Sequence, residues 1–114
     1  MMDKISVYLV DDHQIILDGL KALLGQDKVI EIAGESTRCK DAFEMISICK
    51  PDVILTDIHM PDMNGIEFSR LVKKNFPDIK IIALSMSAEE SLISDMLDAG
   101  ASGYLVKNTG KEEL

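Results

Sequence analysis

Short apolar runs alternate with longer segments of helical periodicity, and this alternation repeats along the whole chain of 114 residues. The short runs place Val, Ile and Leu at consecutive positions, which is typical of strands buried on both faces. The segments between them carry apolar residues three and four positions apart, on one face of a helix. The pattern therefore predicts an α/β fold, with a doubly wound parallel sheet covered by helices on both sides.

The element boundaries follow from the apolar runs and from the glycines and prolines between them. We predict five strands, over 5–10, 29–33, 53–56, 79–84 and 103–106, with Gly34 ending the second. We predict four helices, over 14–24, over 39–49, around Phe68 and ending before Pro77, and over 91–98. Residues 109–114 look like a turn followed by the start of a fifth helix, which we expect to be truncated.

Each of these helices has a predicted apolar face. The face of the first helix consists of Ile16, Leu20, Leu23 and Leu24, and the face of the fourth consists of Leu92, Ile93, Met96 and Leu97. We expect these residues to pack against the sheet.

Composition limits the kind of protein that this can be. A hydrophobic fraction of 46% and a charged fraction of 28% predict one folded domain over residues 1–114. The formal net charge of −8 argues against nucleic acid or an anionic membrane as a partner of this segment. No apolar run is long enough to span a bilayer, and the N-terminus does not resemble a signal peptide, so we expect a cytoplasmic protein.

The two cysteines do not indicate a disulfide or a zinc site. Cys39 and Cys49 are ten residues apart on one predicted helix, a distance of about 15 Å, too long for a disulfide. We interpret both as buried or half-buried thiols without chemistry.

Polar residues follow four of the five predicted strands. Asp11 and Asp12 follow the first strand, Asp57 the third, Ser85 the fourth and Lys107 the fifth. The carboxyl ends of parallel strands meet at one edge of a sheet, where open α/β folds bind ligands. Each residue alone has a simpler interpretation, since an aspartate after a strand often caps the next helix. The joint pattern indicates a common site.

Three carboxylates at one site repel each other unless a cation neutralises them. Oxygen ligands of this kind suit Mg²⁺, which also binds phosphate oxygens. Asp57, on the middle strand, could then act as a nucleophile towards phosphorus and form an acyl phosphate. Ser85 and Lys107 are suited to hold the phosphoryl oxygens, and the site lacks an obvious general base.

Four segments of the chain closely resemble a known family. The strings are VYLVDDHQIILDGLKALL, PDVILTDIHMPDMNG, IIALSMS and AGASGYLVKNTGKEEL. They resemble the receiver domain of two-component response regulators, in the LuxR/NarL-like branch whose members carry a C-terminal helix-turn-helix domain. The resemblance implies a flavodoxin-like sheet with strand order 2-1-3-4-5.

The resemblance also implies a role for each acidic residue. Asp57 would be the phosphoacceptor, receiving a phosphoryl group from a phosphohistidine of a sensor histidine kinase. Mg²⁺ would be bound by Asp12 and Asp57, by Asp11 mostly through water, and by the backbone carbonyl of His59.

Three further residues match positions of the family that sense the phosphoryl group. Ser85 and Lys107 would bind the phosphoryl oxygens, and Tyr104 would be the switch aromatic that turns inward as Ser85 moves. The implied function is signalling and not catalysis, with transcription regulated through a DNA-binding domain absent from this chain. A stand-alone receiver that acts by protein–protein interaction is the alternative, and a homodimer remains open.

Some positions depart from the family pattern or favour other classes. Asn108 stands where many receivers have proline, although the LuxR-type branch commonly lacks it, and Ser85 replaces the commoner threonine. His13 and His59 beside the aspartates allow a transition-metal site, which Lys107 disfavours; His13 is expected to begin the first helix. A phosphatase of the haloacid dehalogenase kind needs an aspartate at position 59, which is His, and a pseudo-receiver would lack some of the phosphorylation residues.

Overall fold

Five parallel strands form one sheet at the centre of the structure, a computed structural model that describes residues 4–85 and 89–106. The strands are β1 (Ile5–Val10), β2 (Ile30–Ser36), β3 (Val53–Asp57), β4 (Lys80–Ser85) and β5 (Gly103–Val106). Their order across the sheet is β2-β1-β3-β4-β5. The predicted fold class and strand order are therefore confirmed.

Four helices connect these strands in the described part of the chain. They are α1 (Gln14–Leu24), α2 (Cys39–Cys49), α3 (Gly65–Asn75) and α4 (Glu90–Asp98). The fifth helix predicted after residue 108 lies outside the described residues. Each helix connects two parallel strands, and such crossovers are almost always right-handed.

The helices bury two separate apolar layers, one on each face of the sheet. Side chains from α2, α3 and α4 pack on one face with Tyr8, Val10 and Ile54. Leu17 of α1 packs on the other face with Leu9 and other residues of alternate strand positions. Successive strand residues therefore point into opposite layers, which explains why the strand sequences are apolar at consecutive positions.

The predicted apolar face of α1 was partly wrong. Leu17, which the predicted face omitted, is fully buried, whereas Leu23 is 47% exposed. Leu20 and Leu24 pack beside Leu17 as partly buried residues. The face that contacts the sheet is therefore rotated towards Leu17. On α4, Met96 is buried but Leu97 is 48% exposed, so Leu97 does not belong to the core-facing side.

Strand β2 is longer than predicted because it passes through Gly34. Its pairing with β1 shifts between Val7 and Tyr8, so that Ala33 is skipped and Tyr8 faces Gly34. A Cβ atom at position 34 would lie 2.8 Å from Cε2 of Tyr8. Glycine lets the strand continue under the aromatic ring and does not end it.

Candidate functional site

Three aspartates meet at the carboxyl edge of the sheet, where β1 and the neighbouring β3 end. Asp11 follows β1 and is fully buried, and Asp57 is the last residue of β3 and only 4% exposed. The Asp12 side chain is 32% exposed. One ligand atom from each of these residues and from His13 lies within 4.8 Å of the others. The predicted gathering of Asp11, Asp12 and Asp57 is therefore present in the structure.

His13 is a member of this cluster that the sequence analysis included only in the transition-metal alternative. It stands at the N-terminus of α1, as predicted, and its side chain forms no cap. Its Nδ1 atom lies instead 3.1 Å from Oδ1 of Asp11 and 3.0 Å from Oδ1 of Asp12. Its backbone N–H donates to Asp11 Oδ1 at 2.9 Å. The turn after β1 thus folds both carboxylates around one imidazole.

His59 does not join this cluster through its side chain, among the residues that the structure describes. It is exposed in the loop after β3. Of the two histidines in the predicted transition-metal site, His13 lies with the aspartates and the His59 side chain does not. The role of the His59 backbone carbonyl as a metal ligand stays a prediction.

The donor set fits a hard divalent cation. It consists of three carboxylates, two of which are buried at the strand ends, and the imidazole of His13. Buried carboxylates are costly unless a positive charge or hydrogen bonds compensate them. Carboxylate oxygens are the protein ligands that Mg²⁺ prefers, and Mg²⁺ usually binds through only one or two of them. The residues present are therefore suited to hold Mg²⁺.

Ser85 lies on β4, the strand beside β3, and Tyr104 lies on β5, one strand further out. Ser85 is fully buried at the end of β4 and pairs in register with Val106. Tyr104 is half-buried on β5, pairs with Ala83 and packs against the layer formed by α2, α3 and α4. Lys107 follows Val106 in the sequence and lies outside the described residues.

The loop between β3 and α3 closes tightly over the end of β3. The N–H of Gly65 donates to the carbonyl of Ile58 at 2.6 Å. A Cβ atom at position 65 would clash with the backbone carbonyl of Asp57, so the close approach requires glycine. Asn64 then caps α3, accepting from Ile66 N–H at 2.7 Å. The loop thereby returns directly to the site residue from which it starts.

Both cysteines are free thiols, one buried and one half-buried, as predicted. Burial raises the pKa of the Cys39 thiol to about 12, and the nearby carboxylates of Asp62 and Asp57 add to this. The thiol donates to the Met63 carbonyl at 3.5 Å. Cys39 is therefore a protonated packing residue next to the site.

The fold and the carboxylate site define a class of signalling domain. The model of the response regulator receiver domain matches residues 7–114, and the chain belongs to this family. The receiver domain of a response regulator is a signalling domain.

Particular relatives place the chain in the LuxR/NarL-like branch, as predicted. It is 37% identical over 112 residues to the transcriptional regulatory protein DegU of Brevibacillus brevis, covering 98% of this chain and 48% of the relative. It is 36% identical over 110 residues to the DNA-binding transcriptional activator DevR/DosR of Mycobacterium tuberculosis, covering 96% and 51%. The chain thus spans about half the length of these curated relatives.

A solved structure shows the same fold. The signal receiver domain of the putative response regulator NarL from Mycobacterium tuberculosis superposes with a TM-score of 0.90 at 28% identity, covering 98% of this chain and 90% of that one. The isolated receiver domain of RcsB from Salmonella enterica serovar Typhimurium, studied with phosphomimetic BeF3-, gives a TM-score of 0.88 at 27% identity, covering 95% and 80%.

Within residues 4–85 and 89–106, no helix is long and apolar enough to cross a membrane.

Proposed function

We propose that this chain is a phosphoacceptor domain in which Asp57 receives a phosphoryl group from the phosphohistidine of a sensor histidine kinase. The observation that carries the proposal is the position of Asp57. It lies almost buried at the end of the middle strand β3, with oxygen atoms of Asp11 and Asp12 within 4.8 Å. A nucleophilic carboxylate surrounded by cation ligands is the arrangement that phosphoryl transfer needs.

In this reaction a carboxylate oxygen of Asp57 attacks phosphorus as the P–N bond to the kinase imidazole breaks. The bonding electrons leave with the imidazole nitrogen, and an acyl phosphate forms on Asp57. The carboxylate needs no general base, because it carries no proton to remove. Asp11, Asp12, Asp57 and the backbone carbonyl of His59 would hold Mg²⁺, which supplies charge neutralisation for the phosphoryl oxygens.

Ser85 and Lys107 would bind the phosphoryl oxygens from the opposite side. Ser85 is buried at the end of β4, the strand next to β3. Its hydroxyl would therefore need to cover only a short distance to a phosphoryl group on Asp57. Tyr104 lies one strand further out, half-buried over the α2–α3–α4 layer. A phosphoryl group that attracts Ser85 would favour an inward position of Tyr104, and so shift the population between two surface packings.

The output of this switch would lie in another domain. The relatives DegU and DevR/DosR are named as transcriptional regulators, and the chain spans about half of each. We therefore infer a cytoplasmic regulator that binds DNA through a domain outside this chain, with a homodimer as a further form. A stand-alone receiver that acts by protein–protein contact is the alternative.

The test is phosphorylation by acetyl phosphate, followed by intact-protein mass spectrometry. The protein should gain the mass of one phosphoryl group only when Mg²⁺ is present, and Asp57→Asn should not gain it. Asp98→Asn, an exposed residue at the end of α4, is the matched control and should behave as wild type. A modification that persists in Asp57→Asn would contradict the proposal. Rapid turnover of acetyl phosphate without any accumulated adduct would favour the phosphatase alternative.

A further inference from the structure

Helix α2 begins without a cap of its own. Its N-cap residue is Arg38, whose side chain forms no capping hydrogen bond. The first backbone N–H groups of a helix have no partner inside the helix and need one from elsewhere. In α2 the first two of these groups belong to Cys39 and Lys40.

Asp62, from the loop between β3 and α3, supplies both missing acceptors. Its Oδ1 accepts from Cys39 N–H at 3.0 Å, and its Oδ2 accepts from Lys40 N–H at 2.9 Å. Desolvation at the helix terminus raises the pKa of Asp62, but the hydrogen bonds from the backbone N–H groups of Lys40, Cys39 and Asp62 itself, together with the charge of Arg38, hold this pKa below its usual range. A carboxylate at a helix N-terminus is also favoured by the helix dipole. Both carboxylate oxygens of this exposed side chain thus accept hydrogen bonds from α2, a helix that is distant from it in sequence.

These contacts hold the middle of the loop that follows Asp57. The start and end of the loop are joined by the Gly65 N–H bond to the Ile58 carbonyl, and Asn64 holds its exit into α3. His59 lies between the closed base of this loop and Asp62. Asp62 therefore limits how far the backbone around His59 can move away from the end of β3.

We propose that Asp62 is a positioning residue, which fixes the loop after β3 against the N-terminus of α2 and so sets the place of the His59 carbonyl. The inference rests on the proposed function in one respect, since it assumes that this carbonyl binds Mg²⁺. Coupling between two sites is reciprocal. Mg²⁺ at the aspartate cluster should therefore stabilise the Asp62 contacts, as these contacts favour Mg²⁺ binding.

Two measurements test the proposal on wild type, Asp62→Ala and Asp62→Asn. The first is the Mg²⁺ dissociation constant from isothermal titration calorimetry. The second is hydrogen exchange by NMR at the amides of Cys39 and Lys40, with and without Mg²⁺. Asp27→Ala is the matched control, because exposed Asp27 also accepts one backbone N–H, from Val29 at 2.9 Å, just before β2.

Asp62→Ala should raise the Mg²⁺ dissociation constant by about tenfold, the lower end of the effect of removing groups that orient metal ligands. In wild type Mg²⁺ should slow exchange at both amides, and in Asp62→Ala both should exchange fast whether Mg²⁺ is present or not. Asp62→Asn keeps one acceptor oxygen and should give intermediate values. Asp27→Ala should match wild type in both measurements.

The outcomes separate this inference from the proposed function. Normal Mg²⁺ binding by wild type together with unchanged affinity in Asp62→Ala would overturn the inference alone. A Mg²⁺ effect on the two amides that survives in Asp62→Ala would also overturn it, because the coupling would then run through another contact. Failure of wild type to bind Mg²⁺ would overturn the proposed function and this inference together.

Discussion

Gly34 of β2 lies directly under the ring of Tyr8 of β1, so close that a Cβ atom on residue 34 would stand 2.8 Å from Cε2 of Tyr8. The bulge beside Gly34 lets the fully buried ring lie over the neighbouring strand. The Tyr8 hydroxyl reaches Ser36 at the end of β2, and its oxygen lies 2.5 Å from Ser36 Oγ. The Ser36 carbonyl accepts from Asp11 N–H at 3.1 Å, so the pairing of β1 with β2 continues as far as the aspartate cluster.

We predict that Gly34→Ala lowers the free energy of unfolding by about 1–3 kcal/mol, the usual cost of overpacking a buried position. The matched control is Gly19→Ala in α1, where an added Cβ meets nothing within 4 Å. That change should raise the free energy of unfolding by about 0.5–1 kcal/mol, because alanine loses less backbone entropy in a helix. Urea denaturation measures both. If the two substitutions changed the free energy of unfolding equally, the ring of Tyr8 would have to move aside for the added Cβ atom without any loss of stability.

We predict that Asp12→Asn raises the Mg²⁺ dissociation constant by at least about tenfold, since even groups outside the ligand shell have effects of that size. In EDTA the same variant should keep or slightly increase its free energy of unfolding, because one carboxylate of a repelling cluster is removed. Calorimetry and urea denaturation give the two values. Asp18→Asn, which removes the same charge from an exposed position of α1, should leave the metal affinity near wild type. Strong destabilisation of Asp12→Asn in EDTA would identify Asp12 as a structural cap.

The buried thiol of Cys39 predicts a loss of stability at alkaline pH. Its pKa is raised from 9.0 to about 12 in the folded protein, so the unfolded chain releases this proton first. The contribution of the protonated Cys39 thiol to the free energy of unfolding is complete below pH 9.0 and is lost as the pH rises towards about 12. Between these values Cys39→Ala should lose stability less steeply than wild type, by up to about 1 kcal/mol per pH unit.

The check is a series of urea denaturations across this alkaline range. Cys49→Ala is the control, because Cys49 is half-buried and burial raises its thiol pKa without moving it as far. It should follow the wild-type slope more closely than Cys39→Ala does. Parallel slopes for wild type and Cys39→Ala would mean that the buried thiol ionises as easily as an exposed one.

The element order could be predicted because buried parallel strands and amphipathic helices have different periodicities. Errors arose where tertiary contacts override local signals. Gly34 was expected to end a strand, since the sequence does not reveal that Tyr8 lies above it. The face of α1 was assigned without Leu17, because several adjacent apolar residues leave the rotation of a helix undetermined by periodicity alone.

The site could be predicted where chemistry coincides with strand ends. Asp11, Asp12 and Asp57 each follow a recognisable strand, so a parallel sheet must bring them to one edge. His13 adjoins the acidic pair in the sequence, and this adjacency was the basis of the transition-metal alternative in which it was included. Asp62 gave no such signal, because it caps a helix that begins 23 positions earlier in the chain.

Trapping the acyl phosphate tests whether the carboxylate of Asp57 is the nucleophile. Borohydride reduces an aspartyl phosphate to homoserine, and tandem mass spectrometry of the digested protein then identifies the position. After incubation with acetyl phosphate and Mg²⁺, we expect homoserine at position 57 and none in the sample with EDTA. Homoserine at another position, such as 11 or 12, with an unmodified Asp57 would show that a different carboxylate is the nucleophile.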